Sequence, residues 1–94
     1  MVKIKTPKQM ERHLKGMANH RRIELLFYIS KNDKATLDDM VRATKANQKT
    51  LSEHARRLYI AGLVNKKYRS KFVEHSLSPY GKTFVKFLES FRTA

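Results

Sequence analysis

The stretch Leu51–Val64, LSEHARRLYIAGLV, decides how the rest of the chain is read. Leu51, Ala55 and Leu58 recur at i, i+4 and i+7, the spacing of one buried helix face. Asn47 suits an N-cap that accepts from the Thr50 amide. Gly62 closes the run, because glycine tolerates the left-handed conformation in which helices end. Beyond it the pattern becomes extended. Residues 63 to 69 and 72 to 77 read as two strands around Ser70-Lys71, a hairpin whose turn lacks the usual glycine or Asn-Gly. A helix over 47–61 is therefore followed directly by a basic hairpin over 63–77.

Upstream, Thr36-Leu37-Asp38-Asp39 reads as a capping box whose two aspartates suit a helix N-terminus. The short helix it opens turns Leu37, Met40 and Val41 inward, and Thr44-Lys45-Ala46 interrupts it. Asn19 caps an earlier helix in which Ile23, Leu26, Phe27 and Ser30 share a face, flanked by Leu25 and Ile29. A helix apolar on most sides belongs in the middle of a core. Lys31 to Lys34 break it with turn formers. Thr6-Pro7 starts a first helix, about 7–18, with Met10, Leu14 and Met17 in one stripe. Ser78-Pro79 starts a last helix, about 79–92, lined on one side by Phe84, Phe87, Leu88 and Phe91. The order is four helices, a hairpin and a fifth helix, a mainly α (α+β) class.

The chain has 94 residues, enough for one domain over 1–94, and no repeat or linker divides it. It contains 21 Lys and Arg against 8 Asp and Glu, a net charge of +13, which favours a polyanionic partner. The charge is concentrated: from Arg42 to Lys71 there are nine Lys and Arg residues and one acid, Glu53. The absence of cysteine removes disulfides, thiol catalysis and thiolate metal sites. No apolar run reaches the ~18 residues needed to span a bilayer, and MVKIKTPK lacks the apolar centre of a secretory signal. A cytoplasmic, nucleoid-associated protein without a membrane partner is expected.

Two short helices joined by a tight turn and followed by a basic hairpin make a winged helix-turn-helix. The segment ATKANQKTLSEHARRLYIAGLV, residues 43–64, resembles the helix-turn-helix of the ArsR and MarR repressor superfamily. Asn47, Thr50, Leu51, Ser52, Leu58 and Ala61-Gly62-Leu63-Val64 fit that pattern without a gap. Asn19-His20-Arg21-Arg22-Ile23-Glu24-Leu25-Leu26 is similar to the family's Asp-Pro-x-Arg-x-x-Ile-Leu, with His20 in place of the proline. Leu77-Ser78-Pro79-Tyr80-Gly81 looks like the Leu-Thr-x-x-Gly that follows the wing.

The resemblance implies a regulator of transcription that binds double-stranded DNA as a homodimer and places the 47–61 helix in the major groove. Lys49, Ser52, Glu53 and Arg56, with Gln48 at the N-terminal edge, then face the bases. Arg and Lys donate to guanine, Gln pairs with adenine, and Glu accepts from cytosine. Thr50 and Arg57 lie nearer the side and suit phosphate, and the helix N-terminus offers amide donors for another. Periodicity turns Ile60 outward. Lys66, Lys67, Arg69 and Lys71 of the wing suit the backbone or the minor groove, whereas Tyr68 is expected to pack on the hairpin. Met10, Leu14 and Met17, with Phe84, Phe87, Leu88 and Phe91, offer more apolar surface than one small core needs and are expected to form a dimer interface.

Many relatives sense metals through cysteines or His and Asp pairs. Here His13, His20, His54 and His75 are scattered without ligand spacing, so neither metal nor cofactor is expected. His54 suits packing or a phosphate contact. Ser52 and His54, two apart on a helix, point apart and make no catalytic pair, and an enzyme is not expected. The alternatives are an architectural protein that coats DNA with little specificity and a winged-helix adaptor for an acidic protein. The polar set at Gln48, Lys49, Ser52 and Arg56 favours specific readout over both.

Overall fold

The computed structural model describes residues 3–94. It contains α1 (Pro7–Met17), α2 (His20–Lys31), α3 (Leu37–Thr44), α4 (Gln48–Ile60), β1 (Val64–Arg69), β2 (Phe72–Leu77) and α5 (Pro79–Arg92). The expected order and winged helix-turn-helix class are both observed. Each helix begins at a side-chain cap. The Thr6 hydroxyl accepts from the Gln9 amide in a capping box, and Thr36 with Asp39 forms a second one. Asn19 accepts from the Arg21 and Arg22 amides, and Ser78 from that of Gly81.

The core lies where α2 and α4 cross beneath the hairpin. Leu25, Leu26, Met40, Leu51, Leu58 and Leu63 are fully buried, with Ile29, Ala35, Ala55 and Val64 around them. This places the α2 face differently from the sequence expectation. Leu25, Leu26 and Ile29 form its buried side, while Ser30 is exposed and its hydroxyl donates to the Phe27 carbonyl at 2.8 Å. On α5 the inward residues are Gly81, Val85 and Leu88, with Phe84 half-buried. Phe87 and Phe91 point away from the core and stack on each other, ring centroids 5.8 Å apart.

The exit from α4 explains the Ala61-Gly62-Leu63-Val64 run. The Gly62 amide donates to the Tyr59 carbonyl and the Leu63 amide to that of Leu58, both at 3.0 Å, while Gly62 takes φ 78°. This is a Schellman stop, in which glycine carries the positive φ and the next apolar residue folds back onto the helix. Leu63 thus belongs to the stop, and β1 starts one residue later than expected.

The hairpin pairs Val64 with Leu77 through Arg69 with Phe72 in antiparallel register. Ser70, the first of two loop residues, adopts φ 56°, the position where such loops ordinarily take glycine. A bridge from Ala35 to His75 joins the hairpin to the loop before α3. The His75 amide and Nδ1 both reach the Ala35 carbonyl, at 2.8 and 3.0 Å. The Ser78 hydroxyl donates to the Gly62 carbonyl at 2.6 Å and accepts from the Gly81 amide at 3.0 Å. The Leu-Ser-x-x-Gly segment therefore ties the start of α5 to the end of α4.

Candidate nucleic-acid interface

The burial of Leu51, Ala55 and Leu58 sets the rotation of α4. At 100° per residue the opposite side presents Gln48, Lys49, Ser52 and Arg56, all exposed, with Glu53 half-buried beside them. Thr50 and Arg57 are exposed on the flank. Leu37 of α3 borders the same concavity as Gln48, Lys49, Ser52 and Glu53. Across a neighbouring groove Gln48 meets Lys71, Phe72 and Val73 of the wing tip. The expected base-facing set is thus brought together at one surface, continuous with the wing. Ile60 is half exposed, as its period predicts.

The N-terminus of this helix is partly engaged by its own cap. The amides of Lys49 and Thr50 are not open to a phosphate, because the Asn47 side-chain oxygen accepts from both, at 2.8 and 3.2 Å. This is the cap expected of Asn47, extended from the Thr50 amide to that of Lys49, and the Gln48 amide lies outside it.

Glu53 organises the charge on α4. Arg56 donates to its carboxylate through Nε at 3.0 Å and Nη2 at 2.8 Å, and Arg57 through Nε at 3.1 Å. The Arg56 hydrogen bonds, followed by the charges of both arginines, hold the Glu53 carboxyl below its ordinary value against some desolvation. Arg22, from α2, was not among the sequence candidates, although it stands in the Asn19–Leu26 segment that carries the resemblance. Its Nη1 lies 3.3 Å from His54 Nδ1 and its Nε is buried without a partner. Burial and the Arg57 charge lower the Arg22 pKa, against the pull of Glu53. Burial and Arg22 lower that of His54, which favours a neutral imidazole. His54 therefore packs against α2.

Three of the four wing cations divide between two faces, since alternate strand residues point oppositely. Lys66 shares its face with Val64 and His75, and its Nζ lies 5.0 Å from the Tyr59 ring centroid. Lys67 and Arg69 project from the other face, where Arg69 Nε is 3.7 Å from Glu74. Lys71 sits in the turn. Tyr68 is 77% exposed rather than packed on the hairpin; its partner Val73 lies near the tip, beyond the core's reach.

On the far side, Met17 and Leu88 of the expected dimer face are buried in the chain's own core. Met10, Leu14, Phe87 and Phe91 are exposed, as is Tyr80. Among the described residues, no three His, Cys, Asp or Glu side chains gather as a metal site. No helix among them is long and apolar enough to cross a membrane.

Comparison with known proteins places this geometry. The model of a family described as bacterial regulatory protein, arsR family, matches residues 19–66. The structure is similar to HlyU from Vibrio cholerae N16961 at 26% identity and TM-score 0.82, over 93% of this chain and 95% of that one. It is similar to HlyU from Vibrio vulnificus CMCP6, a transcriptional regulator, at 26% identity and TM-score 0.76, over 89% and 88%. At 19% identity it shares the fold of the homodimeric winged helix-turn-helix DNA-binding domain of Mb0332 from Mycobacterium bovis, with TM-score 0.81 over 99% and 91%. No curated protein matches the chain.

Proposed function

Because the chain belongs to the arsR family of bacterial regulatory proteins, which are DNA-binding transcriptional regulators rather than enzymes, we propose that it reads a specific DNA sequence as a homodimer. In this reading α4 enters the major groove and the β1–β2 wing lies on the backbone or in the minor groove, on nucleoid DNA in the cytoplasm. Residues 1–94 act as a single domain, and α1 and α5 provide the contact between copies. The observation that carries it is the exposed face of α4. Gln48, Lys49, Ser52 and Arg56 stand side by side there, opposite a fully buried Leu51–Leu58 stripe. Those are side chains that hydrogen-bond to base edges, presented on a rigid helix about as wide as the ~12 Å groove.

Thr50, Arg57, Lys67, Arg69 and Lys71 supply phosphate contacts around that face. Lys66 supports the wing from its inner side. The Mycobacterium bovis domain of the same fold is homodimeric. Here the exposed Met10 and Leu14 of α1 and Phe87 and Phe91 of α5 offer an apolar surface for such a contact. A two-fold arrangement would space the two α4 helices by roughly 34–36 Å, one turn of DNA. Selection from random duplex DNA followed by sequencing tests the proposal. A palindromic motif is expected, and recovery of unenriched sequence would overturn specific readout in favour of DNA coating.

A further inference from the structure

Glu53 is the only acid between Arg42 and Lys71, and it stands in the middle of the helix assigned to the groove. Three cations share the outer half of that helix: Lys49, Arg56 and Arg57. Two of them already donate to one carboxylate, through three N–H bonds of 2.8 to 3.1 Å. Exposed ion pairs of this kind add little to folding stability, and α4 is independently fixed by its Asn47 cap and buried stripe. The pairing therefore matters mainly for what the arginines are free to do. A carboxylate that receives guanidinium forks has the hydrogen-bonding shape of a phosphate with two oxygens. Glu53 occupies the Nε–Nη2 edge of Arg56 and the Nε of Arg57. The end-on Nη1–Nη2 edge of Arg56 remains outside that contact.

We propose that Glu53 is a specificity-determining residue that acts as an internal phosphate surrogate, withholding the Nε edge of Arg57 from indiscriminate backbone contact and aiming the open edge of Arg56 at the bases. This rests on the reading of α4 as the groove helix. On an arbitrary duplex a phosphate that takes the side edge of either arginine displaces a carboxylate already in place, so one charge-assisted bond replaces another. The displaced carboxylate is then left facing a polyanion. On the preferred site the guanine contacts use the edge that Glu53 leaves open, and every internal bond is kept. Glu53 thus weakens non-cognate binding more than cognate binding.

Fluorescence anisotropy on a random-sequence duplex and on the selected duplex, across a salt series, tests this with Glu53→Gln. Asp33→Asn serves as a control that changes the net charge equally from the exposed α2–α3 turn. Glu53→Gln is expected to bind the random duplex roughly two- to fivefold more tightly than wild type. Its salt slope is expected to steepen by about one unit, as for one added phosphate contact. The selected duplex gains less, so the specificity ratio falls. Adding Arg57→Ala removes the gain, and Asp33→Asn leaves the slope unchanged. Random-duplex binding no tighter than that of Asp33→Asn overturns the proposal. So does a loss confined to the selected duplex, which would make Glu53 a direct base contact. Failure of the underlying reading is separately visible: if Lys49→Ala and Arg56→Ala change neither duplex, α4 is not the groove helix.

Discussion

Single side chains carry the sharpest consequences. Arg56 has the open edge for a paired contact with guanine, so Arg56→Ala is expected to weaken the selected duplex roughly 5- to 150-fold per half-site and a random duplex far less. Arg56→Lys restores only part, because a point charge cannot make two parallel bonds. Titrations of wild type and both variants at one fixed salt check this, and equal losses on both duplexes would assign Arg56 to the backbone. His75 makes a different prediction. Burial lowers its pKa, with the Lys66 charge acting the same way and the bond to the Ala35 carbonyl opposing. His54 is lowered as well. In the unfolded chain both take up protons near the ordinary value of about 6.5. Stability is therefore complete above that pH and falls below it, where the unfolded state binds more protons. For His75 the slope is at most about 1.4 kcal/mol per pH unit. Thermal melts between about pH 8 and 5 are expected to show a plateau and then a fall, shallower in His75→Gln. A flat profile in wild type would contradict the buried neutral imidazole.

At the scale of elements, the wing separates from α4 in its expected chemistry. Lys67, Arg69 and Lys71 offer charge without a positioned base-reading pair. Arg69→Ala with Lys71→Ala is thus expected to weaken selected and random duplexes by similar factors. The salt slope should flatten by about one unit for each phosphate that the double variant leaves unneutralised, and weakening on one sequence alone would point to minor-groove readout. The elements themselves were legible because caps and stops are local: Thr6, Asn19, Thr36, Asn47, Gly62 and Ser78 announce their roles within four residues. The faces were less so. A helix with apolar residues on most sides has no unique inward direction, and only packing chose Leu25 and Ile29 over Ser30 on α2. The aromatic weight on α5 likewise masked Val85 as its inward residue. Of the interface, the Gln48–Arg56 face follows from helix periodicity. The engagement of the Lys49 amide by Asn47, the nearness of Arg22 and the exposure of Tyr68 depend on geometry that periodicity does not encode. Gly16 was equally silent. A glycine inside a helix looks like a weak point, yet an added methyl there would overlap the Ala61 side chain. Gly16→Ala is expected to cost about 1–3 kcal/mol through overpacking between α1 and α4. Denaturant unfolding measures it, and Ala61→Gly in the same chain is expected to recover part.

For the whole molecule, the exposed Met10, Leu14, Phe87 and Phe91 lead to a prediction of assembly. Light scattering at micromolar concentration is expected to give about twice the 11.1 kDa chain mass. Phe87→Glu is expected to yield a folded monomer, because Phe87 is 56% exposed and its removal leaves the core intact. A wild-type monomer both free and on DNA would remove the two-fold arrangement. The close approach of Gly16 to Ala61 has a consequence for time rather than affinity. Arg12 Nη2 donates to the Ile60 carbonyl at 3.0 Å, and His13 reaches that of Ala61, so α1 holds the trailing end of α4 at three neighbouring points. In a dimer joined through α1, the strut that grips the second copy also anchors the reading helix. Separation of the subunits and departure from the operator would then share a barrier, and substitutions at Gly16 would shorten both lifetimes together.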